Sequence, residues 1–299
     1  MEHIQTHFSI KDLENFSGIK AHTIRVWEKR YDLLKPDRSD GNQRVYSLHQ
    51  LQKLLNVKLL YENGFKISKI AKLQEEEIPG RVLEFLGAIG TWTHVIDEFK
   101  LAMIKFDQAI FDKSYAILIA ELSFRRIFID IFMPLLEQIG TLWQANSINP
   151  AHGHFISSLI HQKLVAQIER NVHIDSPSED PVYVLYLPYG EIHDLGLLYL
   201  HYEIMLRGSK SIYLGQSVPM ENLKDIMAVY PQITFISYFT VEPDQGIEGY
   251  LEAMQADILH RKNDELWMLG KRCKELDQKK LPRSVRTFDG VLSAVEEIS

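Results

Sequence analysis

The sequence has almost no cysteine and no long apolar run, and each absence excludes a class of protein. Cys273 is the only cysteine among 299 residues, which excludes a disulfide within the chain and argues against a zinc site built of cysteines. The most apolar stretch, residues 127–136, is interrupted by Asp130 and Pro134, so we expect no membrane span. These features are typical of a protein from the reducing cytoplasm.

Charge is unevenly distributed along the chain. The net charge is −7, but residues 1–72 carry a balance of +5 and the remaining residues one of −12. The length and the hydrophobic fraction of 45% suffice for two or three domains. A basic N-terminal unit on an acidic body is expected of a nucleic-acid-binding region joined to an independent module.

Two short helices are predicted near the N-terminus. Ser9 is a candidate N-cap, Leu13 and Phe16 fall on one face of the following helix, and Gly18 ends it. A second helix is predicted for residues 23–31. Two helices joined by a glycine-containing turn form the helix-turn-helix pattern, whose second helix enters the DNA major groove.

A wing of two short strands follows the second helix. Residues 37–46 are expected to turn at a Gly-Asn pair, with Arg38 and Arg44 on either side of the tip. Ser47 is a candidate N-cap for a leucine-rich third helix. The two arginines would be within reach of DNA phosphates.

This region resembles the winged-helix DNA-binding domain of MerR-type transcription regulators. The similarity covers residues 7–75 and includes Thr-Ile-Arg-x-Trp-Glu-x-Arg-Tyr on the second helix and Asn-x-Arg-x-Tyr on the wing. The resemblance implies a DNA-binding domain at residues 1–75 that contacts double-stranded operator DNA. The side chains that it places near DNA are Thr23, Arg25, Arg30, Tyr31, Arg38, Arg44 and Tyr46. The alternative is that the aromatic residues form domain core and the arginines are solvated.

Residues 81–175 are predicted to form a helical bundle, joined to the first domain by a linker at residues 75–80. Apolar residues recur there at spacings of three and four. The first such stripe is Val95, Phe99, Ala102, Met103, Phe106 and Ile110. No carboxylate stands at ligand spacing beside His152, His154 and His161, so structural roles are favoured over a metal site.

Residues 178–299 alternate between strands and helices, which indicates a doubly wound parallel sheet. The predicted strands are residues 181–187, 211–215, 233–239, 265–270 and 285–288. Ligands of such sheets bind at the carboxyl ends of the strands. A polar turn at residues 189–196, with an imidazole, two carboxylates and a glycine, follows the first strand and is expected at this edge.

The turn resembles the Asp/Glu-x-His-x-x-Gly loop in the cobalamin-binding modules of methionine synthase and corrinoid proteins. With the MerR-type domain in front, residues 7–299 resemble the CarH/LitR-type cobalamin-dependent regulators. The resemblance implies that His193 is the lower axial ligand of cobalt and that Glu191 binds the other ring nitrogen. It also implies that Gly196 lets the backbone approach the corrin. The alternative is a polar loop with a solvated histidine.

Four further cofactor contacts follow from the resemblance. Ser237 and Gly270 are expected beside the nucleotide tail, and Trp143 and His154 over the upper face of the corrin.

Three residues depart from the pattern of the family. Lys271 follows Gly270 where the family has a second glycine. Gly153 stands where light-sensing members have glutamate, and Gln144 where they can carry a histidine. The upper face therefore keeps a stacking ring and lacks a carboxylate.

The expected fold class is multidomain α and α/β: a winged helix-turn-helix, a four-helix bundle and a flavodoxin-like doubly wound parallel sheet at residues 178–299. The expected function is that of a cytoplasmic, cobalamin-responsive DNA-binding regulator, a repressor acting as a homodimer or homotetramer. Its ligand would be adenosylcobalamin or methylcobalamin. The resemblance leaves open whether light changes its activity. No nucleophile and base stand at an orienting spacing, so no catalytic residue is assigned. The alternatives are a regulator with a degenerate, ligand-independent site and a corrinoid carrier for a methyltransferase.

Overall fold

A computed structural model describes residues 7–39, 41–75, 77–78, 81–82, 92–171, 181–277 and 280–298. The chain divides into two compact units, Met1–Ile160 and His161–Ser299. The first unit combines the predicted DNA-binding region with most of the predicted helical region. Half of the predicted linker (residues 76, 79 and 80), residues 83–91 near the start of the predicted bundle and the junction at residues 172–180 lie outside the described residues.

The N-terminal region has the winged-helix order of elements. They are β1 (His7–Phe8), α1 (Ile10–Ser17), α2 (Ala21–Tyr31), β2 (Asp37–Arg38), β3 (Arg44–Ser47), α3 (Leu48–Glu62) and α4 (Ile67–Ile70). The three strands form an antiparallel sheet in the order β1-β3-β2. Ser9 and Ser47 each accept a hydrogen bond from the amide three residues later, in capping boxes with Asp12 and Gln50. Gly18, with φ +75°, ends α1.

Helices make up the rest of the first unit as far as it is described. They are α5 (Thr93–Lys105), α6 (Gln108–Glu121), α7 (Phe124–Ile127), a π-helical segment (Phe128–Phe132), α8 (Met133–Gln144) and α9 (Pro150–Arg170), whose last residues belong to the second unit. In this part of the chain and the others described, no helix combines the length and the apolar character that a membrane crossing requires.

The predicted apolar stripe from Val95 to Ile110 is interrupted in the structure. Helix α5 ends at Lys105, and Phe106 adopts a left-handed conformation with φ 51°. The side chain of Asp107 then accepts hydrogen bonds from the amides of Ala109 and Ile110 and caps α6. The apolar spacing continues across this break, so spacing alone did not reveal it.

The second unit contains a five-stranded parallel sheet with helices between its strands. Its elements are β4 (Val182–Pro188), α10 (Leu195–Leu206), β5 (Ser211–Val218), α11 (Leu223–Val229), β6 (Ile233–Tyr238), α12 (Gly246–Asp257), β7 (Glu265–Leu269), β8 (Val285–Phe288) and α13 (Val291–Glu296). The strand order is β5-β4-β6-β7-β8. Counted within this unit the order is 2-1-3-4-5, which is that of flavodoxin-like sheets, so the predicted sheet is confirmed.

The interior strand β4 is buried along its whole length, because helices cover both faces of the sheet. Helix α10 packs against β4, β5 and β6 and against α13. Apolar residues of α11 and α12 share a buried cluster with the opposite face of the sheet. Because β4 and β6 are neighbouring parallel strands, their carboxyl ends lie next to each other. The loop at residues 189–194 emerges there.

Gly270 immediately follows β7 and has no room for a side chain. Its φ is +108°, and a Cβ atom there would lie 2.4 Å from the carbonyl oxygen of Phe239. We predict that Gly270→Ala lowers the free energy of unfolding by about 3 kcal/mol or more, because a backbone overlap adds to the cost of a positive φ. The measurement is urea denaturation followed by circular dichroism.

Gly208→Ala is the matched control for this prediction. Gly208 also has a positive φ, +76°, but nothing lies within 4 Å of the position of its Cβ. We expect this variant to lose only about 1 kcal/mol. Equal losses in the two variants would contradict the steric explanation for Gly270.

Candidate functional site

Helix α2 presents two cations of the predicted DNA-binding set to solvent. Arg25 and Arg30 are exposed, while Thr23 and Tyr31 on the same helix are half-buried. The apolar side of α2, with Ile24 and buried Trp27, packs into the domain. This helix therefore offers separate core and solvent faces, as a recognition helix requires.

The wing is attached to α2 through the carboxylate of Glu28. Nε of Arg44 donates to Oε2 of Glu28 at 3.0 Å, and the hydroxyl of Tyr46 donates to Oε1. Tyr46 is fully buried, and this burial together with Glu28 raises the pKa of its phenol. Arg38 is exposed, and its Nη1 donates to the carbonyl oxygen of Asn42 at 2.9 Å. Tyr46 thus lies in the core, as the alternative interpretation of the aromatic residues had it, and Arg44 positions the wing.

In the second unit, Glu191 accepts hydrogen bonds from two segments of the chain. Its Oε1 accepts from the amides of Ile192 at 2.9 Å and His193 at 3.0 Å. Its Oε2 accepts from the amides of Thr240 at 2.8 Å and Val241 at 2.7 Å, which follow β6. The side chain is only 3% exposed. One carboxylate therefore joins the loop after β4 to the loop after β6.

Glu191 is ionised over the whole physiological pH range. Burial by itself would raise its pKa, but the hydrogen bonds from His193, Val241 and Thr240 outweigh burial and lower its pKa to about 2. A buried carboxylate without such donors would be neutral or destabilising. The fixed negative charge is therefore a permanent feature of this loop.

The imidazole of His193 is oriented by this carboxylate. Its Nδ1 lies 2.6 Å from Oε1 of Glu191, and because Glu191 is ionised, Nδ1 carries the proton. The hydrogen bond raises the pKa of His193, and burial partly opposes it. The side chain is 57% exposed. In the neutral ring Nε2 is consequently left with its lone pair, as a ligand atom for a metal.

The loop is also anchored to the edge strand β5. The amide of Gly190 donates to Oγ of Ser217 at 3.1 Å, and the amide of Ser217 donates to the carbonyl oxygen of Glu191 at 3.2 Å. The hydroxyl of Tyr213 donates to Asp194 at 2.9 Å. Sequence analysis missed Ser217 and Tyr213, and also the amides of Thr240 and Val241, since backbone donors leave no signal in side-chain identity.

The structure places the other predicted residues of the second unit at the same edge of the sheet. A Cβ atom on Gly196 would lie 3.2 Å from the ring of Tyr238, so this glycine allows α10 to pack against the end of β6. Ser237 is fully buried and its hydroxyl donates to the carbonyl oxygen of Tyr186 at 3.0 Å. Gly270 follows the adjacent strand β7. Gly196 and Gly270 thus lie against residues at the end of β6, the strand next to β4.

The two predicted upper-face residues belong to the first unit. Trp143 is 57% exposed near the end of α8, and His154 is exposed in the first turns of α9. His152 is buried, stacks on Phe106 at 4.6 Å between ring centroids and accepts a hydrogen bond from the amide of Asn149 through Nδ1. Its Nδ1 is thus occupied by the backbone, while its Nε2 is buried and has no hydrogen-bond partner among the described residues.

The chemistry of the loop fits an ion that a macrocycle already holds. Among the residues that the structure describes, no group of three or more His, Cys, Asp or Glu side chains is arranged to bind a bare metal ion. A macrocycle supplies the equatorial ligands itself and needs only an axial donor from the protein. Exposed apolar side chains on the two loops, those of Tyr189, Ile192 and Val241, offer contact area for such a ring.

We predict that Glu191→Gln lowers the pKa of His193, because the neutral amide no longer stabilises the imidazolium.

A second prediction concerns stability in acid. The folded pKa of Glu191 is depressed from 4.5 to about 2, so its contribution to stability is present above pH 4.5 and is lost as pH falls through this interval. The wild type should therefore lose about 2–3 kcal/mol more than Glu191→Gln over this range. An NMR titration of His193 and acid denaturation measure the two effects.

Glu203→Gln is the control, since Glu203 is also buried but pairs with Tyr199 and Arg207 in α10. It should leave the pKa of His193 unchanged. An unchanged pKa in Glu191→Gln as well would show that Glu191 does not tune the imidazole.

Comparison with known proteins gives two matching family models. Residues 8–77 match the model of the MerR HTH family regulatory proteins. Residues 95–166 match the model of a B12 binding domain. The second match covers Trp143 and His154 and ends before the loop that carries His193.

Two relatives and one solved structure extend the comparison. The HTH-type transcriptional repressor CarH of Myxococcus xanthus is 26% identical over 258 residues, covering 83% of this chain and 84% of CarH. CarA of the same organism, also an HTH-type transcriptional repressor, is 25% identical over 260 residues, covering 81% of this chain and 80% of CarA. The fold is similar to that of the monomethylamine corrinoid protein of Methanosarcina barkeri, with a TM-score of 0.53 and 15% identity over 69% of this chain and 97% of that one.

The two family models match consecutive regions of the chain, first the winged-helix region and then the helical region. The protein therefore carries a MerR HTH region followed by a B12-binding region, and over most of its length it is homologous to the transcriptional repressors CarH and CarA.

Proposed function

We propose that this protein is a cobalamin-responsive transcription repressor that binds operator DNA through residues 7–75 and cobalamin through the loop of the second unit. The observation that carries the ligand proposal is the single imidazole of His193, held through Nδ1 by an ionised, buried Glu191. The homology to CarH and CarA supports the regulatory role.

His193 would hold the cobalt of the corrin through Nε2. Bound cobalamin would supply a cobalt ion with an exchangeable upper ligand. Glu191 keeps the proton on Nδ1 and prevents the ring from rotating, which raises the basicity of Nε2. Gly196 allows α10 to begin close to the sheet, and Ser237 and Gly270 are proposed to border the nucleotide tail. Trp143 and His154 are proposed to contact the upper face.

DNA binding is proposed for the exposed cations of the winged-helix region. Arg25 and Arg30 on α2 and Arg38 on the wing face solvent, and residues 1–72 have a balance of +5 in a chain of net charge −7. Phosphate contacts supply much of the affinity of such proteins for DNA. Because operators read by this motif are two-fold symmetric, the active form is proposed to be a homodimer or homotetramer in the cytoplasm.

Three departures from the family pattern favour a second candidate, a repressor that no longer needs its ligand. Gly153 and Gln144 provide no carboxylate and no imidazole beside Trp143, and Lys271 stands where the family has a second glycine after Gly270. A carrier protein for a methyltransferase is disfavoured by the MerR HTH match. Ligand binding and its effect on DNA affinity decide between the first two.

We predict that the wild type binds adenosylcobalamin or methylcobalamin with a change in the absorption spectrum, and that His193→Ala weakens this binding more than about tenfold because the axial donor is lost. Measuring DNA affinity of both proteins with and without each cobalamin, in darkness and in light, tests the regulatory response.

His260→Ala serves as the control, since His260 is an exposed histidine of the same unit outside the loop. It should bind cobalamin as the wild type does. If no cobalamin changes the spectrum of the wild type, the ligand proposal is wrong, and unaltered DNA affinity would then favour the ligand-independent repressor.

For the DNA-binding region we predict that Arg25→Ala and Arg30→Ala each weaken DNA binding about tenfold. Each should reduce the slope of log affinity against log salt by about one, if the arginine contacts a phosphate. Arg283→Ala removes the same charge from an exposed position in the second unit and should change neither quantity. Equal losses of DNA affinity in all three variants would mean that the net charge of the protein, and not contacts made by α2, accounts for the effect.

A further inference from the structure

Helix α5 is the central helix of the first unit. All residues from Phe99 to Ile104 are buried, and six consecutive residues span more than one helical turn of 3.6 residues. The helix is therefore enclosed on every side along this stretch. One of these buried residues is Lys100, whose exposure is only 2%.

The ammonium group of Lys100 contacts the DNA-binding region. Its Nζ donates to the carbonyl oxygen of Phe16 at 2.9 Å, to Oε1 of Gln138 at 3.1 Å and to Oδ1 of Asp97 at 2.6 Å. Phe16 lies in the last turn of α1, where backbone carbonyls lack partners within the helix. A buried cation at this position satisfies one such carbonyl and complements the negative end of the helix dipole.

Asp97 connects the same cluster to a second helix of the DNA-binding region. Its Oδ2 lies 3.2 Å from Nζ of Lys58 on α3, while Oδ1 binds Lys100. Burial lowers the pKa of Lys100, and the Asp97 carboxylate partly offsets this effect. The buried carboxylate thus holds an ammonium group from each of two helices, α5 and α3.

Two further contacts flank this cluster between the DNA-binding region and the helical region. Nζ of Lys105 donates to Oε1 of Gln52 on α3 at 3.1 Å. Nδ2 of Asn15 on α1 donates to Oγ of Ser147, which follows α8, at 2.8 Å. These contacts join α1 and α3 to α5 and to the segment after α8.

The end of α1 determines where the recognition helix begins. Gly18 follows α1, and α2 starts at Ala21, so only four residues separate Phe16, whose carbonyl group Lys100 holds, from the helix that carries Arg25 and Arg30. We propose that Lys100 is a positioning residue for DNA binding, which fixes the end of α1 and the turn before α2 to helix α5, so that the helical region forms part of the DNA reader. This inference rests on the proposed DNA-binding function.

The test compares Lys100→Met with Lys113→Met. Methionine keeps the apolar stem of the lysine but removes the charge. Removing one partner of a buried ion pair costs stability, although Asp97 keeps Lys58 as a cation in this variant. Lys113 is exposed on α6 of the same region, so its substitution removes the same charge from the surface. The probe is a labelled DNA duplex selected from a random pool by the wild-type protein, and hydrogen exchange is measured at the amides of residues 17–23.

We expect Lys100→Met to bind the duplex about tenfold more weakly and to exchange the amides of residues 17–23 at least about tenfold faster, with its absorption change on cobalamin binding unaltered. Lys113→Met should match the wild type, and Lys100→Arg, which keeps the charge, should recover part of the affinity. Wild-type affinity and wild-type exchange in Lys100→Met would overturn the inference. A lower urea midpoint with unchanged affinity of the folded protein would also overturn it, since Lys100 would then be merely structural.

If Lys100→Met does not fold, Gln138→Leu, which removes one partner of the ammonium group, must show faster exchange at residues 17–23 than the wild type, and unchanged exchange there would refute the inference. If the wild type selects no duplex, the proposed DNA-binding function fails, whereas the exchange measurement still decides whether Lys100 fixes the end of α1.

Discussion

The candidate ligand site depends on one buried carboxylate. Glu191 accepts hydrogen bonds from the imidazole of His193 and from four backbone amides, two in its own loop and two in the loop after β6. These donors balance the cost of removing a charge from water. The same bonds bring two strand ends together and leave Nε2 of His193 for a ligand. Glu191 therefore sets both the position of the His193 ring and the nitrogen that carries its proton.

The first unit uses the same physical principle at Asp97 and Lys100. There, too, charged groups are buried because several partners satisfy each of them, and these partners belong to different parts of the chain. Such clusters contribute little net stability compared with apolar packing, but they disfavour alternative arrangements in which a charge would be left unpaired. A regulator needs a defined arrangement in each of its states, since a ligand can shift only an equilibrium between distinct states.

Much of the fold was predictable because local chemistry agrees with it. Ser9 and Ser47 cap the helices that were predicted to follow them, and β8 has the predicted bounds, residues 285–288. The parallel sheet followed from the alternation of strands and helices and is confirmed. Predictions were less accurate where two helices meet: the apolar stripe through Phe106 continues across a break that the Asp107 cap creates.

The sequence alone determined which residue types follow the first strand of the sheet, and so predicted an imidazole with a neighbouring carboxylate at its carboxyl edge. Only the tertiary structure decided that Glu191 is saturated by amides of residues 240 and 241, which lie about fifty residues further along the chain. It also decided that Tyr46 is core and that Lys100 is a buried contact of α1. The physical reason is that spacing reports the face on which a side chain lies, whereas its partners come from segments that only the folded chain brings together.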